Sequence, residues 1–249
     1  MRMRIDDLDG ARCHSRFIDA ALEDLEWLGL DWRRDPSGIL KQSNRLPLYK
    51  RAFEQLKAGG HLYPCDQSRR DIMRSLNAPH RGDEEPVYPG TCRPGAPGEI
   101  DIDRIATGHP QARINWRFKT PEEATVQFQD GHFGPQQFVF NVDFGDFIVW
   151  RHDDLPSYQL ATAVDDALLQ ITEVVRGADL LTSTARQILL LEALGYPRPN
   201  YFHCPLMNDE NGQRLAKRHK ALSLKQLREN GMSAAEVLQL CAKDDFDKV

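Results

Sequence analysis

The stretch from Tyr158 to Asp179, YQLATAVDDALLQITEVVRGAD, constrains this chain more than any other. Tyr158 to Leu169 reads as a helix, apolar but for the acidic pair Asp165 and Asp166. Ile171 to Val175 reads as a short β-branched strand of the buried kind. The strand ends in Arg176-Gly177, a charged residue where the chain turns. A guanidinium there can grip a carboxylate or phosphate with two parallel hydrogen bonds, and residues at strand ends in α/β folds tend to face ligands. The bland alternative is an ion pair with one of the nearby aspartates.

The rest of the chain must fit around this helix and strand. At 249 residues it has room for one large or two modest domains. The content, 41% hydrophobic and 28% charged, is that of an ordinary globular protein. A net charge of −5 implies no general affinity for nucleic acid or membrane, so any polyanion contact must come from a local basic patch. Five scattered cysteines, Cys13, Cys65, Cys92, Cys204 and Cys241, argue against a disulfide framework and for a reducing cytoplasm. No apolar run approaches the ~20 residues that span a bilayer. The N-terminus is charged from its second residue and lacks the apolar core of a signal peptide.

Helical spacing places Ile18, Ala21, Leu22, Leu25 and Leu28 on one stripe of a helix from His14 to Leu28, with Gly29 as its cap. A second helix, Leu46 to Lys57, has Tyr49, Ala52, Phe53 and Leu56 on one face. His61 to Pro110 is rich in Pro, Gly and charge, and too poor in aliphatics to bury much core. Ala112 to Trp150 turns β-like, with Phe138, Phe140, Val142 and Phe144 alternating. Thr182 to Leu194 is an apolar helix stopped at Gly195, and two short helices at about 223–229 and 233–242 close the chain. Ser233 and Glu236 have the spacing of a capping box.

Two further groups of residues can carry chemistry. The segment RLAKRHK places Arg214, Lys217, Arg218 and Lys220 within seven residues after a glycine-containing turn. A cationic loop of this kind suits a polyphosphate, whose charge grows on the leaving oxygens during transfer, but short basic runs are also common solvated faces. Cys65, Tyr88 and Cys92 offer two thiolates and a phenolate, part of a tetrahedral zinc set that would hold a core-poor segment in shape. Asp66, Gln67 and His80 are the available extra donors, and none makes a recognised spacing, so two unrelated reduced cysteines remain the alternative.

Taken together, these pieces resemble the class I glutamyl-tRNA synthetases. RIDDLD at Arg4 to Asp9 is similar to the family's RIEDxD segment. LEWLGLDW at Leu25 to Trp32, then Gln42-Ser43, Arg45 and Tyr49, follow in the family's order. So do Tyr158 to Asp179, Ala185 to Leu206, and RLAKR, which resembles the KLSKR form of the class I lysine loop. RGADLL after the strand, and YPGTCR at Tyr88 to Arg93, are similar to the shorter paralogue family, the glutamyl-queuosine tRNA(Asp) synthetases. The chain also ends soon after the lysine loop, without room for a helical anticodon-binding domain.

The resemblance implies an α/β, Rossmann-type catalytic domain over 1–60 and 145–222, an inserted acceptor-end subdomain of zinc type over 61–144, and short closing helices over 223–249. It implies activation of glutamate by ATP with Mg²⁺, and transfer of the glutamyl group to the queuosine base of tRNA(Asp) by a cytoplasmic monomer with no membrane partner. Asp6 falls where the family holds the glutamate α-amino group, and Tyr158 and Arg176 where it lines the glutamate pocket. Arg214, Leu215, Ala216, Lys217 and Arg218 fall on the ATP-binding loop, with Lys217 as its catalytic lysine. Cys65, Tyr88 and Cys92 match three of four zinc ligands. Departures from the family pattern carry expectations too. Gln67 stands where the fourth ligand, a cysteine, is usual, so zinc binding is expected to be weak or lost. Asp6 is shorter than the family's Glu, and Ala216 replaces the loop serine. The strand, HIGH-like loop and helix that precede RIEDxD are missing, so Met1 or Met3 is expected to be an internal methionine of a longer frame, and the chain as it stands to adenylate poorly. Two alternatives follow: a fragment of a glutamate–tRNA ligase that charges the tRNA 3′ end, and an inactive remnant that only binds glutamate, nucleotide or RNA.

Overall fold

In the computed structural model of the chain, the described residues are 2–10, 13–32, 38–67, 87–100, 113–206 and 223–243. The chain divides into two compact units, residues 1–45 with 205–249, and Leu46–Cys204.

In the first unit, strand β1 (Arg4–Ile5) pairs in parallel with β2 (Leu40–Lys41). Just after these strands, Asp7 accepts both the amide and the hydroxyl of Ser43, at 2.9 and 2.7 Å. Helix α1 (Ser15–Trp27) carries the expected stripe, but Ile18, Leu22, Leu25 and Leu28 are only half-buried and Ala21 is exposed. Two short helices follow late in the chain, and both have a capping box at the N-terminus. In α5 (Leu224–Glu229) Ser223 and Gln226 bond reciprocally. Before α6 (Ala234–Lys243), Ser233 Oγ accepts from the Glu236 amide at 3.3 Å while the Glu236 carboxylate accepts the Ser233 amide at 2.8 Å, as the sequence spacing predicts. Arg228 of α5 reaches Glu23 and Asp24 of α1 at 3.1 and 3.5 Å.

The second unit holds two sheets. Helix α2 (Leu46–Ala58) buries the four residues its periodicity selects, Tyr49, Ala52, Phe53 and Leu56. Strands β3 (Leu62–Cys65), β4 (Asn115–Phe118) and β7 (Ile148–Trp150) form an antiparallel sheet in the order β3-β4-β7. All four residues of β3 are buried. The prolines and charges of 61–110 therefore hid a core strand that the composition alone argued against.

The other sheet has the order β6-β5-β9-β8, from β5 (Thr125–Asp130), β6 (Gly134–Val139), β8 (Glu173–Gly177) and β9 (Asn200–Cys204). The β5–β6 pair is an antiparallel hairpin, whereas β9 is parallel to both β5 and β8. Helix α3 (Tyr158–Leu168), with Leu160, Ala161, Ala163 and Val164 buried, packs against α2, β7 and helix α4 (Leu181–Leu194), which itself packs on β5 with Ile188 to Leu191 buried. The C-cap of α4 is Gly195 at φ 75°, a left-handed conformation that glycine takes without a Cβ clash. Asp165 interrupts the apolar face of α3 because Tyr49 donates to it at 2.8 Å inside the core, with neither residue exposed.

Two strand expectations shift. The strand read at Ile171 to Val175 begins at Glu173, because the end of α3 uses the residues before it: Gln170 turns left-handed at φ 55° and Ile171 N–H bonds back to Asp166. Nor is it a buried strand, since Val175 is 61% exposed, and Arg176 lies within the strand instead of at a turn. The alternation from Phe138 to Phe144 breaks after Val139, where Asn141 takes φ 63° and Val142 is left exposed.

Candidate active site

Arg176, next to last in β8, is gripped on three sides. Its Nη1 donates to Gln187 Oε1 at 2.9 Å and its Nη2 to Thr184 Oγ1 at 2.5 Å. Thr184 and Gln187 are three apart on α4, so one helix face presents both acceptors. Arg176 Nε donates to His203 Nε2 of the neighbouring strand at 3.3 Å. The register of the parallel pair puts Arg176 opposite His203, which brings the two side chains together. Gln187 is itself fixed by donating to Gln159 of α3, which in turn donates to Ser183.

All three acceptors on Arg176 are neutral. The ion pair with a nearby aspartate, the bland alternative from the sequence, is not among its contacts with described residues. A guanidinium has five N–H groups. Three are used here, and one on each terminal nitrogen is left over. No carboxylate bonds directly to the guanidinium among the described residues, and a fork of this kind is what a carboxylate or phosphate accepts.

Behind Arg176 lies a buried carboxylate–imidazole pair. His203 Nδ1 is 2.6 Å from Asp130 Oδ2, and neither side chain is exposed. Asp130 Oδ1 also takes the amides of His132, Phe133 and His203 at 3.0, 2.9 and 3.3 Å. Burial pushes the Asp130 carboxyl up, but these hydrogen bonds outweigh it and leave the group below its ordinary value. Burial dominates at His203 and, aided by the Arg176 charge, lowers the imidazole from its ordinary 6.5 despite the bond to Asp130 and the negative charge of Asp179.

Both shifts mean that the folded protein binds fewer protons than the unfolded chain, so stability rises with pH. The His203 contribution is complete above about pH 6.5 and is lost as pH falls toward the folded-state value. The Asp130 contribution is lost only in the carboxylate range. A Tm that declines in two stages on acidification is expected, and His203→Gln removes the first stage. A melting series from pH 8 to pH 2 checks this.

The other site residues expected from the sequence are scattered over the two units. Asp6 is in the first, where Arg4 donates to its carboxylate at 2.7 and 3.3 Å. Tyr158 is the first residue of α3 in the second unit and 41% exposed. Its helix starts cleanly because Ser157 caps the Leu160 amide. Arg214, Leu215, Ala216, Lys217 and Arg218 lie outside the described residues, as does His80.

Cys65, Tyr88 and Cys92 do come together, within a small cluster that includes Tyr63. Cys65 Sγ is 3.4 Å from the Tyr88 hydroxyl, which also accepts the Cys92 amide at 2.8 Å. The backbone of Tyr88 passes so close to Gly145 that a Cβ there would meet it at 2.7 Å, so only glycine fits. The Cys65 thiol is lowered to about 5, first by the Cys92 hydrogen bond and against burial, with help from the Arg117 charge, whereas Cys92 is raised. Arg117 also lies over the Tyr88 ring at 3.8 Å.

These donors do not fit a standard zinc set. Gln67 offers only an amide oxygen, buried and without a partner among the described residues, and amide oxygen suits harder cations than zinc. Among the described residues no three His, Cys, Asp or Glu side chains are placed to hold a metal ion. Treatment with EDTA is expected to leave Tm unchanged, and the purified protein to carry zinc well below one equivalent, as elemental analysis would read.

His203, Asp130, Thr184 and Gln187 were not singled out by the sequence. Their one signal was a lone histidine in the strand-like run NYFHC, alternating with Tyr201.

Comparison with known proteins gives these features a family. The model for the catalytic domain of tRNA synthetases class I (E and Q) matches residues 1–246. A glutamyl-Q tRNA(Asp) synthetase of Symbiobacterium thermophilum is 45% identical over 242 residues, which are 95% of this chain and 73% of that protein. A second, from Nitratidesulfovibrio vulgaris, is 39% identical over 94% of this chain and 72% of its own length. A glutamate tRNA ligase of Elizabethkingia meningosepticum, solved in complex with its amino acid, superposes with a TM-score of 0.72 at 25% identity. That match covers 86% of this chain, and the chain spans 44% of the ligase. By sequence along nearly its whole length and by fold, the chain belongs to the class I tRNA synthetases (E and Q), as their catalytic domain.

Proposed function

We propose that the chain activates glutamate with ATP and passes the glutamyl group to the queuosine base of tRNA(Asp). The observation that carries the glutamate half is Arg176, a partly buried guanidinium whose partners among the described residues are all neutral acceptors. The queuosine half rests on the glutamyl-Q relatives, 39–45% identical over about 95% of the chain.

In the first step an oxygen of the glutamate α-carboxylate attacks the α-phosphorus of ATP. The bond to pyrophosphate breaks, and glutamyl-adenylate forms. Arg176 and Tyr158 are assigned to the glutamate side chain and Asp6 to its α-ammonium, which a carboxylate attracts. Lys217, within the loop Arg214 to Arg218, is assigned to the phosphates, where a cation offsets charge growing on the leaving group. ATP brings Mg²⁺ as its usual companion. In the second step the acyl carbon leaves AMP for the base at the wobble position. No side chain serves as a covalent nucleophile, and positioning and charge stabilisation carry the rate.

A second reading is transfer to the tRNA 3′ end. The glutamate–tRNA ligase 2 of Nitrosococcus oceani, 39% identical over 92% of this chain, favours it. The two readings share the activation step. Exchange of labelled pyrophosphate into ATP, measured with glutamate and no tRNA, tests that step. Glutamate-dependent exchange is the expected result. Exchange that responds equally to glutamine or aspartate would remove the assigned pocket.

A further inference from the structure

We infer that His203 is a positioning residue for Arg176, its unprotonated Nε2 taking the Arg176 Nε–H and fixing the direction in which the guanidinium faces its ligand. The inference deepens the proposed function and rests on Arg176 binding a substrate carboxylate.

The ring's tautomer follows from its surroundings. Asp130 is buried and collects three backbone amides on one oxygen, so its other oxygen, 2.6 Å from Nδ1, is an ionised acceptor. Nδ1 must then carry the proton, which leaves a lone pair on Nε2. On that side stands Arg176, which cannot give up a proton and can only donate. Thr184 Oγ1 accepts from Arg176 Nη2, and its own proton serves either Nε2, 3.0 Å away, or the Leu180 carbonyl at 3.2 Å. Every donor thus meets an acceptor when the ring is neutral and the proton is on Nδ1. The opposite tautomer would set an N–H against an N–H at one end and a lone pair against a carboxylate at the other.

The result is a line of carboxylate, imidazole and guanidinium running across three adjacent strands, β5, β9 and β8. Apolar side chains would fill the same space with less desolvation. A fully satisfied polar chain instead holds one orientation. The guanidinium is thereby held in one plane, which a flexible surface arginine does not achieve.

Two amide substitutions separate the ends of the ring. Asn places a donor near the position of Nδ1 and nothing at Nε2, so His203→Asn keeps the Asp130 bond and drops the Arg176 bond. Gln places an oxygen near Nε2, so His203→Gln does the reverse. In glutamate-dependent pyrophosphate exchange, His203→Asn is expected to raise the glutamate KM about tenfold or more, as loss of a bond to a charged group implies. The ATP KM should stay unchanged, and His203→Gln, which keeps an acceptor for Arg176 Nε and loses only the bond to Asp130 on the far side of the ring, should keep the glutamate KM within about threefold of wild type. A purely structural role gives the reverse order, with the Asn variant the milder, and that order, or equal effects, overturns the inference.

Nitrogen NMR of the wild-type imidazole tests the same point without any variant. Nδ1–H with an unprotonated Nε2 at pH 7 is expected, and a proton on Nε2 overturns the inference. Arg176→Ala serves as the control for the underlying reading. If it leaves the glutamate KM unchanged, the pocket itself is wrong. If it raises KM while His203→Asn does not, only the role of His203 fails.

Discussion

Arg176→Ala is expected to raise the KM for glutamate by about 100-fold in pyrophosphate exchange, with the ATP KM nearly unchanged. The size follows from losing a bidentate, charge-assisted pair in a partly buried site, for which a cost of roughly 2–5 kcal/mol is usual. The selectivity follows from the contacts. Arg176 meets only Gln187, Thr184 and His203 among the described residues. Removing it therefore strips no described carboxylate of a bonded partner, and the fold loses three hydrogen bonds to neutral acceptors while the ligand loses its only assigned cation. Arg176→Lys keeps the charge but not the fork, so it should recover only part of the affinity. Steady-state kinetics against glutamate and ATP separately checks both variants.

The largest effect on stability is expected at Asp146, which no sequence signal marked. Its side chain is 1% exposed and gathers donors from three segments. Arg93 reaches it at 2.6 and 2.8 Å, the Tyr63 hydroxyl at 2.7 Å and the Thr120 amide at 2.8 Å. Arg93 also donates to the Thr120 carbonyl, and Arg117 to the Asp146 carbonyl. The carboxylate pins the segment around Tyr88 to Cys92 onto the β3-β4-β7 sheet, with Gly145 beside it allowing the close approach. Asp146→Ala leaves a largely buried guanidinium and a buried phenol without their acceptor. Breaking one partner of such a pair costs about 3–5 kcal/mol, or roughly 6 to 20 °C in Tm at this chain length. Calorimetry checks it, and a loss below about 1 kcal/mol would mean that Arg93 finds water instead.

Elements set by near neighbours in sequence were legible before the structure. The face Tyr49, Ala52, Phe53 and Leu56 follows from a period of 3.6, and the stop at Gly195 from backbone freedom. Ser233 with Glu236 follows from a bond three residues long. What escaped depends on contacts made far along the chain. Whether Ile171 belongs to a strand is decided by how α3 ends, and the left-handed turn at Gln170 leaves no trace in hydropathy. Strand β3 looks like loop because its proline, Pro64, and its tyrosine, Tyr63, pair with residues beyond 114. Arg176 stood out as a charge in a conspicuous place, but its partners lie 8, 11 and 27 residues away and Asp130 lies 73 from His203. Periodicity cannot read such separations, whereas strand register brings them together.

Transfer of labelled glutamate to tRNA(Asp), with and without queuosine at the wobble position, tests the central claim most directly. Label is expected on the queuosine-bearing tRNA only, and to remain when the tRNA 3′ end is blocked. Label that appears regardless of queuosine, or that disappears with the 3′ block, would contradict the account.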